Sequence, residues 1–498
     1  MTTPKRRPER ASGILLHPTS LPGPGSGDLG EGAYAWIDSL AQAGQRWWQI
    51  LPLGPTGYGD SPYQSFSAFA GNPMLVSPEQ LTADGLLRRG DFHRPDLPVD
   101  RVEYGRVIPF RNGLLDLAWE RFQSANSSLK DEFESFCREQ NWWLDDYVLF
   151  VALKEAQGGA SWQDWPDAMR TRRPEALNEA RRELGLRAAR HRFVQFLFFR
   201  QWHRLREFAH ARGVTIIGDI PIFVAGDSAD VWANPQLFLM DSNRRQTMMA
   251  GVPPDYFSAT GQLWGNPIFN WEAARRDGYA WWMARMNSTL ALVDLVRIDH
   301  FRGFAAAWHV PTGEPTAEKG AWVPGPGAEL FARLRAALGR LPLIAEDLGL
   351  ITPDVERLRD SLNLPGMRVL QFAFGDDAEN PYLPHNYNHA SVAYTGTHDN
   401  DTTRGWYGTL TDEERDPIRR YLARDGSDIA WDFIRLAWSS VADLAIAPLQ
   451  DVLNLGSEAR MNTPGRPDGN WTWRVPPNAI RDDILGRLKE LSVLYGRD

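Results

Sequence analysis

The chain has 498 residues, with 54 basic against 63 acidic side chains, a net charge of −9 and one cysteine. That balance argues against a basic nucleic-acid-binding module, and ordinary hydrophobic (43%) and charged (23%) contents exclude a wholly disordered chain. Cys137 alone can form neither an internal disulfide nor a multi-cysteine metal site. The outlying quantity is 21 Trp beside 23 Phe and 13 Tyr. Tryptophan packs cores and also offers flat platforms with a polar edge, and composition leaves those two readings level.

The first twelve residues, MTTPKRRPERAS, are basic but lead into no apolar signal region. No run reaches the ~18 apolar residues of a membrane span. The expected compartment is the cytoplasm, with neither membrane nor nucleic acid as a partner. Eight short apolar runs then end in polar residues: GILLHPTS from Gly13, WQILPLG from Trp48, VTIIGDIPIF from Val214, LVRIDH from Leu295, LIAEDL from Leu343, MRVLQFAF from Met367, VAYTGTHD from Val392 and LAIAPLQD from Leu444. Helical patterns separate most of them. Strands alternating with helices imply parallel β/α units, and eight units predict an α/β fold, a (β/α)8 TIM barrel. A barrel core needs about 250 residues. The surplus falls in two places: a helical inserted subdomain over 75–213, and a second insertion over 225–294 whose Gly/Pro-rich segment is 251–267. The whole chain, 1–498, reads as a single catalytic barrel carrying these insertions.

In such barrels, polar residues at the C-terminal strand ends read as catalytic. Here those ends carry His17, Asp219, Asp299, His300, Glu346, Asp347, His398, Asp399 and Asp451. On a strand, Val296 and Ile298 share the outer face while Arg297 and Asp299 point into the mouth. A guanidinium beside Asp299 is expected to keep it ionised, as a carboxylate nucleophile requires. Taken alone the pair reads as structural; its place on a strand end makes it functional. Glu346 and Asp347 are adjacent and point oppositely, so they have different jobs. A Glu in a partly apolar pocket gains proton affinity and can serve as a general acid. His398, Asp399 and Asn400 can bond sugar hydroxyls. One carboxyl as acid and one as nucleophile define retaining glycoside chemistry, and an aromatic-rich acidic barrel suits a neutral sugar polymer.

Two other motifs are set aside. Gly25–Gly30 is a literal G-x-G-x-x-G, but Asp28 would repel a pyrophosphate and prolines interrupt the approach to a helix. A metal-dependent barrel hydrolase would want paired His after the first strand, where only His17-Pro18 stands. Neither a metal nor an organic cofactor is expected.

Several long strings carry a resemblance: HPTSLPGP at His17–Pro24, QILPLGPTGYGDSPYQSFSAFAGNP at Gln49–Pro73, GDIPIFVAGDSADVW at Gly218–Trp232, GVPPDYFSATGQLWGNP at Gly251–Pro267, VRIDHFRG at Val296–Gly303, AEDLG at Ala345–Gly349, LPGMRVLQFAF at Leu364–Phe374 and YTGTHDNDTTRGW at Tyr394–Trp406. From about Gly13 to Trp473 the sequence resembles the 4-α-glucanotransferases of the amylomaltase, or disproportionating-enzyme, type, glycoside hydrolase family 77 in the α-amylase clan. The resemblance implies a retaining transglycosylase that moves α-1,4-glucan segments to the 4-hydroxyl of an acceptor glucan or glucose, with cyclic glucans as possible products. It implies Asp299 as nucleophile, Glu346 as acid then base, and Asp399 as the third carboxylate. Substrate contacts are then expected at Tyr63, Asp219, Asp255, Tyr256, Trp264, Arg297, His300, Asp347, His398 and Asn400, with 251–267 as a loop over the cleft. Partners are α-1,4-glucans and maltooligosaccharides. An α-glucan hydrolase is the alternative, since only the acceptor differs, and a non-catalytic glucan binder is a third reading. Trp142, Trp143, Trp162 and Trp165 are expected to pack the helical insertion.

Overall fold

The computed structural model describes residues 10–92, 96–124, 127–254 and 258–498. In chain order its strands are β1 (Ala11–Leu15), β2 (Trp47–Gln49), β3 (Thr215–Pro221), β4 (Met248–Val252), β5 (Gln262–Pro267), β6 (Leu295–Asp299), β7 (Ala306–Pro311), β8 (Ala321–Pro324), β9 (Leu343–Ala345), β10 (Gly366–Val369), β11 (Ser391–Tyr394) and β12 (Leu444–Pro448). Eight of them close a parallel barrel in the order β1-β12-β11-β10-β9-β6-β3-β2. Each of the eight apolar runs supplies one barrel strand. Strands buried on both faces are near-continuously apolar, which is why they stand out in the sequence. β1 and β2 approach so closely at Gly13 that a Cβ there would lie 2.4 Å from the Trp47 carbonyl oxygen, so no larger residue fits.

Helices Tyr104–Phe122, Ser127–Ala156, Pro174–Glu183 and Gly185–Ala211 occupy the stretch between β2 and β3. Aromatic contacts bind three of them together: Phe122 lies 4.6 Å from Phe193, and Trp143 lies 5.9 Å from Phe199 (ring centroids). The last helix is also barrel wall, because its buried Trp202 packs on Trp48 of β2 and donates to the Leu292 carbonyl. The 75–213 reading thus takes in a wall element. The second insertion extends further than 294: β5-β4-β7-β8 form one antiparallel sheet, so chain from both sides of β6 builds it. Part of the expected 251–267 loop is the β4–β5 hairpin.

Twelve tryptophans are buried, and Trp48, Trp162, Trp202, Trp232, Trp282 and Trp438 are among the largest fully enclosed side chains. The core reading therefore accounts for most of the Trp content. Trp143, Trp162 and Trp165 pack as expected, but Trp142 is 50% exposed, edge-on to Phe69. Cys137 is half-buried, and burial pushes its thiol up to about 11, which leaves it unreactive. No helix among the described residues is long and apolar enough to cross a membrane.

Two buried arginines pin the barrel. Arg497, fully enclosed, donates to the carbonyls of Ala11, Trp438, Ser440 and Ala442, stitching the seam where β1 meets β12. Arg111 pairs with Asp28 at 2.7 Å with both side chains 2% exposed, and Asp28 also accepts from the Gly30 N–H. The glycine-rich 25–30 string is thus a structural turn holding an ion pair. Removing one partner strands a buried charge. Arg111→Ala is expected to cost about 3–5 kcal/mol of unfolding free energy, read from the denaturant midpoint, and a loss below about 1 kcal/mol would show that the pair is dispensable.

Candidate active site

β3, β6, β9 and the turn after β11 bring the strand-end residues together. In β6, Val296 and Ile298 are fully buried outward, and Arg297 turns inward. Its Nη1 donates to Asp219 at 2.7 and 2.9 Å and to Asp299 at 3.1 Å. Asp219 stands beside Arg297 in the β3–β6 register. The Tyr63 hydroxyl donates to Asp219 at 2.8 Å and lies 2.9 Å from His398 Nε2. The phenol has one proton and Asp219 takes it, so His398 donates through Nε2–H. That nitrogen is also 3.4 Å from Asp399. A continuous polar chain therefore runs Asp299–Arg297–Asp219–Tyr63–His398–Asp399. The Tyr63 ring stacks on His398, and Trp471 leans on both.

Glu346, directly after β9, accepts the His300 N–H at 2.7 Å and the Leu348 N–H at 2.9 Å. His300 follows Asp299 in a left-handed conformation, φ 54° and ψ 50°. For a residue with a Cβ that backbone costs of order 1 kcal/mol or more, and such outliers gather at functional sites. The turn aims the His300 N–H at Glu346 and sets its ring edge-on to Trp264 of β5, 4.7 Å away. His300 Nε2 is buried without a partner in the protein. Burial lowers the His300 imidazole to about 3, so it is neutral.

Burial pushes Asp299 up to about 8; Arg297 opposes this, while Asp219, Glu346 and Asp399 reinforce it. Glu346 is raised too, by burial first, against Arg297 and its two N–H donors. The expectation that Arg297 beside Asp299 keeps it ionised is therefore corrected. The guanidinium sits closer to Asp219, and one cation cannot offset several enclosed carboxylates. The consequence is a carboxyl pair that retains a proton near neutral pH, one member able to donate it and the other able to attack.

Other expected contacts divide. Asp399 accepts from Asn462 Nδ2 at 2.6 Å, and its carbonyl accepts from Arg460. Asn400 spends its side-chain oxygen on the Thr397 N–H and hydroxyl. Asp347 is corrected: it turns outward, buried, accepts the Met367 N–H at 2.7 Å and is paired with Arg359 and Arg368, so it braces the wall instead of facing a ligand. Asp451 likewise serves Thr395 and Thr403. Asp255 and Tyr256 lie outside the described residues. Sequence reasoning missed Asn462, Arg460 and Trp471, which sit in irregular chain after β12 and give no periodic signal. Among the described residues, no group of three or more His, Cys, Asp or Glu is placed to hold a metal ion.

A family model described as 4-alpha-glucanotransferase matches residues 16–479. The chain is 52% identical to the 4-alpha-glucanotransferase of Thermus thermophilus over 97% of this chain and 98% of that one. It is 51% identical to the enzyme of the same name from Synechocystis, over 98% of each. Among solved structures, amylomaltase from Streptococcus agalactiae in complex with acarbose superposes with a TM-score of 0.96 at 39% identity, covering 98% of this chain and all of that one. A match across most of the chain and identities near one half over its whole length are decisive: the chain belongs to the 4-alpha-glucanotransferases of glycoside hydrolase family 77.

Proposed function

We propose that the protein is a retaining transglycosylase on α-1,4-glucans and maltooligosaccharides, working through a covalent glucosyl–Asp299 intermediate. The observation that carries this reading is the placement of two carboxyls on neighbouring strand ends, Asp299 held by Arg297 and Glu346 by the His300 and Leu348 N–H groups. Asp299 Oδ attacks C1 as Glu346 gives its proton to the departing glycosidic oxygen. The donor fragment stays on Asp299. Glu346, now ionised, takes the proton of an acceptor 4-hydroxyl, which attacks C1 and frees Asp299. One α-1,4 bond replaces another, so the exchange needs little driving force, and an acceptor at the far end of the same chain gives a cyclic glucan. Asp399, half-exposed and fixed by Asn462, is positioned to take ring hydroxyls. The unpartnered His300 Nε2, with Tyr63, Asp219, Trp264, Arg297, His398 and Asn400, frames the sugar bound over Asp299, and Asp255 and Tyr256 are further sugar contacts in this reading. The acarbose complex of the Streptococcus agalactiae amylomaltase supports that substrate class.

The test is maltotriose turnover with reducing ends counted. Transfer conserves them while chain lengths spread and glucose appears; one new reducing end per cleavage would replace this reading with hydrolysis. The pH profile gives a second check. Attack requires an ionised Asp299, so activity falls as pH drops through a limb set above the ordinary carboxylate range. Asp219 raises that limb by adding negative charge and by sharing Arg297. Asp219→Asn is expected to move the acid limb of kcat/KM to lower pH. An unmoved limb would remove Asp219 from the electrostatics of the pair.

A further inference from the structure

Among the described residues only two tryptophans, Trp142 and Trp322, are exposed. Trp322, on the outer strand β8, is 37% exposed, yet its ring is fixed from two sides. Its cross-strand partner Trp308 packs edge-on at 5.3 Å and is itself tied by Nε1–H to the Ala317 carbonyl. The Arg302 guanidinium lies 3.8 Å from the Trp322 ring centre. Arg302 in turn donates to the Leu350 carbonyl and the Thr352 hydroxyl. The ring is rigid before any ligand arrives, so stacking on it orders nothing further.

Its position follows from chain connectivity. Arg302 comes three residues after Asp299, at most about 11 Å of extended backbone. The Leu350 it holds comes four residues after Glu346 and is 65% exposed. Trp322 is therefore attached to the turns that follow β6 and β9, at the mouth of the barrel. The Leu350 end of that tie belongs to the turn that follows Glu346, the group that protonates the departing oxygen, and on that side the leaving fragment exits and the acceptor enters.

We propose that Trp322, braced by Arg302 and Trp308, is a stacking platform for the acceptor glucan several glucose units beyond the reacting bond. The inference rests on the glucan-transfer reading and adds a length preference to it. The apolar C–H face of a pyranose ring covers an indole face, and the sugar hydroxyls remain in water. Glucose as acceptor is too short to reach the platform; a long maltooligosaccharide spans both sites.

The experiment uses α-maltosyl fluoride as donor and either glucose or maltoheptaose as acceptor, with wild type, Trp322→Ala and Trp322→Phe. Trp322→Ala is expected to raise KM for maltoheptaose about three- to tenfold, leaving kcat and the KM for glucose unchanged. Trp322→Phe falls between. Equal effects on the two acceptors, or no effect on either, would overturn the platform with the transfer reading intact. Wild type that transfers to neither acceptor would sink both. Should the alanine variant fail to fold, as its thermal transition would show, the phenylalanine variant carries the same comparison.

Discussion

Asp299→Asn is expected to lower maltotriose turnover by at least about 10³-fold while the protein stays folded. The amide matches the carboxylate in size, and its oxygen can still accept from Arg297 Nη1, so positioning survives and nucleophilicity is lost. Stability should move the other way. Asp299 binds its proton more tightly folded than unfolded, since burial raises it to about 8. A carboxyl of that kind makes the folded state take up a proton, and stability falls as pH rises from the ordinary carboxylate range toward that value. Asparagine removes that contribution, so the variant's thermal midpoint should exceed wild type at slightly alkaline pH and converge with it in acid. Near-normal turnover would eliminate Asp299 as nucleophile. An inactive variant that also melts early would point to a structural Arg297–Asp299 pair.

Glu346→Gln should lose about 10²–10⁴-fold with maltotriose, and the pattern of loss is as informative as its size. A fluoride departs without a proton, so the first step from α-maltosyl fluoride should be nearly spared, leaving the second step slow for want of a base. Azide needs no base. Added azide should restore turnover of the fluoride and yield the α-maltosyl azide, the anomer expected when attack comes opposite Asp299. Equal losses on both donors with no azide effect would show that Glu346 only organises the β6–β9 turn through the His300 N–H.

The barrel was readable because parallel strands enclosed on both faces leave unbroken apolar runs, and because Asp299, Glu346 and Asp399 end such runs. The four-stranded sheet was not. Met248–Val252 and Gln262–Pro267 have no polar–apolar alternation, and their pairing breaks register between Met249 and Gly251. Alternation separated Glu346 from Asp347, but Arg359 and Arg368, the partners that draw Asp347 outward, come from other elements. The same limit explains the misreading of Arg297. Two residues of one strand suggest a pair, and the sequence does not show that Asp219 of β3 takes the shorter bonds. Asn462 and Trp471 are placed by irregular backbone, Trp471 at φ 63°, and no pattern announces them.

Arg497 bears on how the protein is made. It reaches the Ala11 carbonyl across 486 positions of sequence, and the β1–β12 pairing beneath it is almost as non-local. A ribosome releases β1 well before β12 and Arg497. At about 5–20 residues per second, the 486 positions between them take roughly 25–100 s, and for that interval β1 has one edge with no strand to meet. Open edges of that kind are where nascent chains associate with one another. Yield in the cell should therefore respond to chaperone supply and to growth temperature during translation, even for chains whose finished barrel is stable.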